Sequence, residues 1–170
     1  MDKDYAQYSV TIQQAMLMEK KLAQAGSRDV SINWGGRQVR AFDWILVPDR
    51  GIIHIELLRY VATPRQAVDV RAANGAIVIS ASEHVPMLRT WADSEFEDTL
   101  VYSYGCSGEL CISTATETRL PNGSLEVERF TGNSGFWVEE HKGIRTYHAS
   151  SASAPTPNFE SLVFSIRISS

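Results

Sequence analysis

The stretch FDWILVPDRGIIHIELLRY, residues 42–60, holds two apolar runs around a Pro-Asp-Arg-Gly turn signal, and the way those runs pair decides the fold. With Asp49-Arg50 at the tip of a hairpin, Trp44 lies opposite Ile55 and Asp43 opposite Glu56. Alternation along each strand then puts Phe42, Trp44, Leu46, Ile53, Ile55 and Leu57 on one face. That face is expected to be core, because each large apolar side chain left in water would forgo roughly 1.5 to 3 kcal/mol. The other face carries Asp43, Ile45, Val47, Ile52, His54, Glu56 and Leu58, and such a mixed face on an antiparallel sheet is expected to meet solvent.

Outward from this hairpin, the chain reads as short β-rich runs separated by Gly35-Gly36, Asn74-Gly75, Asn122-Gly123 and Lys142-Gly143, each a hairpin signal. Residues 5–25 space Tyr5, Tyr8, Ile12, Met16, Leu17, Leu22 and Ala23 as an amphipathic helix, with Gly26 as its stop. Residues 82–96 offer Ser82 as a cap and Val85, Leu88, Trp91 or Ala92 as an inner face, which predicts a short helix near residues 83–92. Residues 150–158, SSASAPTPN, read as loop. The run FESLVFSIRIS alternates with Leu162, Phe164, Ile166 and Ile168 on an apolar face. The expected fold class is α+β: mostly antiparallel β, as a sandwich or a partly closed barrel, with these two helices, in a single domain over residues 1–170.

The totals narrow the function. A hydrophobic share of 44% with 21% charged residues suits a globular chain of 170 residues, which needs no metal or disulfide to hold a core. A net charge of −4 with scattered Lys and Arg argues against nucleic acid as a partner. The first ten residues have no apolar signal core, and no run is long enough to span a bilayer, so the expected setting is cytoplasmic, away from membranes, with Cys106 and Cys111 as thiols.

Several residues are candidates for chemistry. Asp43 and Glu56 opposed across the hairpin, with His54 on the diagonal, would form a divalent-metal site or an acid–base pair; neutralisation by Arg40, Arg59 or solvent is the plainer outcome. Cys106, in SYGCSGELC at 103–111, would be a nucleophile if His141 or His148 served as its base; otherwise Gly105 to Gly108 is simply a hairpin turn. The TGNSG segment at 131–135 precedes strand-like alternation and so does not form a phosphate loop. Trp137, Tyr147 and Phe130 are candidate pocket-lining aromatics, although sheet aromatics commonly fill cores.

A helix followed by a β-meander with Asp43 and Glu56 in the acidic positions resembles the core of PD-(D/E)xK nucleases over residues 5–60. The resemblance implies metal-dependent cleavage, but Leu58 stands where that family has its lysine, and without that cation the activity is not expected.

The function expected from these observations is a non-enzymatic cytoplasmic binding or regulatory protein on a β-rich scaffold. It would take a protein or small-molecule ligand and use no cofactor, and the Ile45, Val47, Ile52 and Leu58 face would support a homodimer. The alternative is a metal-assisted hydrolase or lyase centred on Asp43, His54 and Glu56. An acidic inhibitor of a basic partner is a third possibility that the charge permits.

Overall fold

A computed structural model describes residues 3–22, 30–94 and 99–170. A 3-10 turn at Tyr5–Gln7 and a helix α1 (Ile12–Leu22) precede strands β1 (Ser31–Trp34), β2 (Arg37–Arg40), β3 (Asp43–Leu46), β4 (Arg50–Tyr60) and β5 (Gln66–Ala72). There follow β6 (Ala76–Ser80), β7 (Glu83–Val85), β8 (Met87–Trp91), β9 (Thr99–Gly105) and β10 (Glu109–Arg119). The last four are β11 (Leu125–Glu128), β12 (Gly135–His141), β13 (Ile144–Ser150) and β14 (Leu162–Ser169). They form two antiparallel sheets: a large one in the order β1-β2-β12-β13-β14-β4-β9-β6-β7, and a small one in the order β11-β10-β5-β8 with β3 also on β10. The main core lies between them, joining Ile53, Ile55, Phe136, Tyr147, Phe164 and Ile166 of the large sheet to Ile45, Val68, Val70, Leu110 and Ile112 of the small one. This is a sandwich whose sheets do not close into a barrel.

Turn chemistry decides where the chain doubles back and where it changes sheet. Gly35 and Gly36 have φ of 59° and 82°, and Lys142 and Gly143 have 50° and 77°. Two successive left-handed residues make the tight turn whose twist suits a hairpin, and these pairs join β1 to β2 and β12 to β13. Gly123, at φ 86°, closes the β10–β11 hairpin, where its N–H bonds to the Leu120 carbonyl at 2.8 Å. The remaining turn signals behave differently.

Residues 42–60 do not form the expected hairpin. β3 and β4 do not pair, so no hairpin forms at Asp49-Arg50; the chain leaves the small sheet there and enters the large one. β3 pairs with β10, with Trp44 opposite Cys111, whereas β4 pairs with β14 and β9, with Ile55 opposite Ile166 and Leu100. The faces of β3 are the reverse of those expected. Asp43 and Ile45 are buried, at 3% and 8% exposure, while Leu46 on the outer side is 86% exposed. On β4 the expected alternation holds, with Ile53 and Ile55 in the core and Glu56 in solvent. Ile45, Val47, Ile52 and Leu58 therefore share no common face: the first two pack into the core, and Leu58 is half-exposed on the other sheet.

Two other expected hairpins are also sheet changes, and they meet the first at one corner. Asn74-Gly75 joins β5 to β6, and Gly105 to Gly108 joins β9 to β10, in each case across sheets. The crossings hold one another through backbone bonds: Cys106 N to Asp49 O (2.8 Å), Ser107 N to Ala73 O (2.8 Å) and Val47 N to Gly108 O (2.9 Å). Gly75 is required by this approach, since a Cβ there would lie 1.9 Å from the Gly105 carbonyl oxygen.

The helix expected near residues 83–92 is instead β7 and β8. Pro86, which has no N–H to donate, falls between them where the chain passes from the large sheet to the small one. Helical spacing loses here to cross-strand pairing. Leu88 lies opposite Val70, and Arg89 lies opposite Asp69, to whose buried carboxylate it donates two bonds of 2.8 Å. Arg129 Nε, 3.1 Å from the same carboxylate, completes the cluster.

The N-terminal helix is real but begins at Ile12, not Tyr5. Thr11 and Gln14 form a reciprocal capping box, with Thr11 N to Gln14 Oε1 at 2.8 Å and Gln14 N to Thr11 Oγ1 at 3.1 Å. The TGNSG segment supplies the other acceptors at this end: Asn133 Oδ1 takes the Ile12 N–H, and the Gly132 carbonyl takes that of Gln13. Ile12, Ala15, Tyr5, Ile32 and Val39 form a second apolar cluster at the β1–β2 end of the large sheet. Ala23, Ala25 and Gly26 lie outside the described residues. The C-terminal alternation holds, with Leu162, Phe164 and Ile166 fully buried. Among the described residues no helix is long and apolar enough to cross a membrane.

Candidate binding cleft

Asp43 enters the sandwich beside apolar Ile45, and an isolated carboxylate there would be costly without partners. Three neighbours from the large sheet supply them. β13 faces its odd-numbered residues inward, which places Arg145 and Tyr147 beneath β3. Asp43 Oδ2 accepts from Arg145 Nε at 3.0 Å, Arg145 Nη2 at 2.6 Å and the Tyr147 hydroxyl at 2.7 Å. Arg40, at the end of β2, donates from Nη1 to Asp43 Oδ1 at 3.2 Å. Glu140, paired with Arg145 across the β12–β13 hairpin, accepts from Arg145 Nη1 at 2.6 Å.

The tyrosine is held by packing. Its ring stacks on Phe164 at 4.8 Å and meets the edge of Phe136 at 5.2 Å. Burial, and then the Asp43 charge, hold the Tyr147 phenol well above its ordinary value. Burial works to lower the Arg145 pKa, but hydrogen bonds and charge from Tyr147 and Asp43 more than offset it, and the net shift is upward. Both shifts act to keep Arg145 charged and Tyr147 protonated beside Asp43.

Above this floor is a cleft of about 450 Å³ lined by Arg40, Trp44, Leu46, Val47, Glu140, Ile166 and Ile168, among others. Its origin lies in the unequal sheets. β3 is bonded to β10 and lies at the margin of the small sheet, while the large sheet continues past it through β13, β12 and β2. The strip of inner surface left beyond β3 carries the charged residues. The volume falls within the range of roughly 300 to 1,000 Å³ that small-ligand sites occupy. A carboxylate already accepting from two guanidiniums and a phenol is poorly suited to take a proton from a substrate or to hold a cation, so the arrangement suits recognition more than chemistry.

The other candidates lie elsewhere. His54 and Glu56 are on the outward side of β4, in the opposite sheet from Asp43, so the proposed trio does not converge. His54 Nε2 is 2.8 Å from Ser169 Oγ, and desolvation, then the charge of Arg167, lowers the His54 pKa. The same separation removes the acidic pair on which the nuclease resemblance rests. Cys106 sits in the sheet-crossing corner, its Sγ 4.0 Å from the Pro48 carbonyl, and no disulfide joins it to Cys111. His148 is engaged with Glu139 and Glu160, and His141 lies at the far end of the same hairpin. Among the described residues no group of three His, Cys, Asp or Glu side chains is placed to hold a metal ion.

Trp137, Tyr147 and Phe130 are in three different places. The Trp137 ring is stacked by His148 at 3.9 Å and covered by Arg37 at 3.6 Å, one from each flanking strand. Phe130 lies against Phe42 at 3.9 Å, with Arg129 over its ring. Tyr147 alone of the three supports the cleft, from beneath, through its hydroxyl on Asp43. The Lys142-Gly143 turn signal is enough to oppose Glu140 and Arg145 across a hairpin, but no local signal joins them to Arg40 and Asp43, which come from strands about 100 positions earlier in the chain.

No family model matches the chain, and no curated protein or solved structure is significantly similar to it.

Proposed function

We propose that this is a non-enzymatic cytoplasmic binding protein whose ligand seat is the cleft between β3 and the inner face of β12, β13 and β14. The observation that carries the reading is the pairing of an internally neutralised floor, in which Arg40 and Arg145 balance Asp43 and Glu140, with apolar walls from Val47, Ile166 and Ile168. A preformed concavity is the usual form of a small-molecule site, and this one mixes the charged Arg40, Asp43, Glu140 and Arg145 with apolar side chains.

The test is methyl and amide NMR of the full chain titrated with 1-octanol, indole and octanoate. Shifts are expected to gather on Leu46, Val47, Ile166 and Ile168, and to vanish in an Ile168→Trp variant that fills the cleft. Shifts gathered around Trp137 or Phe130, or none at all, would refute this function.

A further inference from the structure

Of the charged groups that line the cleft, Arg40 is the least used. A guanidinium has five N–H donors, yet among the described residues the hydrogen bonding of Arg40 is one long contact, Nη1 to Asp43 Oδ1 at 3.2 Å. Its Nε is shielded from water and has no partner, while the side chain as a whole is 36% exposed. Arg145 differs, since Asp43, Tyr147 and Glu140 already occupy its Nε, Nη2 and Nη1. The cleft thus presents one cationic fork with donor capacity to spare, next to the apolar surface of Val47 and Ile168. Planar guanidinium and carboxylate groups match each other through two parallel hydrogen bonds.

We infer that the cleft selects a small amphipathic monocarboxylate, with the carboxylate end-on against the terminal nitrogens of Arg40 and the apolar body along Val47 and Ile168. The inference rests on the cleft being the ligand seat. Desolvation limits the charge that can be accepted, because the cost of taking an ion out of water grows as the square of its charge while attraction to a single fork grows only in proportion, and Glu140, 56% exposed at the same rim, repels both charges. A phosphate monoester, close to doubly charged at neutral pH, is therefore disfavoured relative to a carboxylate of the same chain length.

The experiment compares octanoate, octanamide and octyl phosphate by calorimetry and NMR on the full chain at pH 7. Octanoate is expected to bind about tenfold more tightly than octanamide, the margin of a charge-assisted bond to a fork over a neutral one, and more tightly than octyl phosphate. Arg40→Gln is expected to reduce octanoate to the level of octanamide. If octanamide or octyl phosphate shifts the cleft residues with the same affinity as octanoate, the carboxylate selection is wrong while the cleft remains the seat. If none of the three shifts Val47, Ile166 or Ile168, both readings fail. The comparison of the three probes needs only the unmodified protein, so it stands even if Arg40→Gln does not fold.

Discussion

Replacing Asp43 with asparagine keeps the volume and shape of the side chain and removes the charge on which the floor of the cleft depends. Oδ2 accepts three short contacts, from Arg145 Nε, Arg145 Nη2 and Tyr147. An amide has one acceptor oxygen and turns two donors toward neighbours that are themselves donors. Removing one member of a buried ion pair costs roughly 3 to 5 kcal/mol. Arg145 is 23% exposed and retains Glu140, which moves the expectation to the lower end of that range. The Arg40 contact, long and one-third exposed, adds little. The expected loss is about 3 kcal/mol, or about 6 to 12 °C in Tm for a chain of this size. Urea unfolding followed by tryptophan fluorescence and circular dichroism measures it, with an unchanged m-value as the check that the transition is the same one. Arg145→Gln in the Asp43→Asn background should cost less than the sum of the two single changes, because neither charge is then left alone. A loss below about 0.5 kcal/mol, the ordinary effect of a surface substitution, would mean that Asp43 is solvated and the cleft floor is not ionic.

Two further perturbations probe the sheet crossing and the phenol. Gly75→Ala should destabilise by more than about 2 kcal/mol, since its Cβ meets the Gly105 carbonyl. Gly35→Ala, strained only by its positive φ of 59° and facing open space, should cost about 1 kcal/mol; chemical denaturation showing the reverse order would refute the crossing geometry. Tyr147 holds its proton more tightly folded than unfolded, so its contribution to stability is fully present below about pH 10 and is lost as pH rises through the higher folded-state value. Tyr104, raised first by burial, acts in the same direction. The urea midpoint should therefore fall above pH 10, and less steeply in Tyr147→Phe; equal slopes would exclude Tyr147 as a source.

Much of the fold was legible wherever a short segment carries its own physical constraint. Gly35-Gly36 and Lys142-Gly143 make tight turns because a left-handed backbone is accessible to these residues, and the strands on either side have no choice but to pair. The alternation of Leu162, Phe164 and Ile166, and that of Ile53 and Ile55, marks core faces for a similarly local reason. At residues 83–92 two local patterns competed, and the helical one lost to a partner strand that the segment itself does not contain, with Asp69 waiting for Arg89.

The sequence alone determined the antiparallel β character, an N-terminal helix, and, in the strands it marked, which residues share a face. Tertiary structure decided which of those faces is inside. A period of two is blind to the difference. For β3 the apolar content of Trp44 and Leu46 pointed one way, while Arg145 and Tyr147, more than 100 positions further along, made it possible for Asp43 to go inward with Ile45. A buried carboxylate is stable only with its counter-charges in place, and those counter-charges come from a strand whose position follows from the whole sheet order, not from any stretch that contains Asp43.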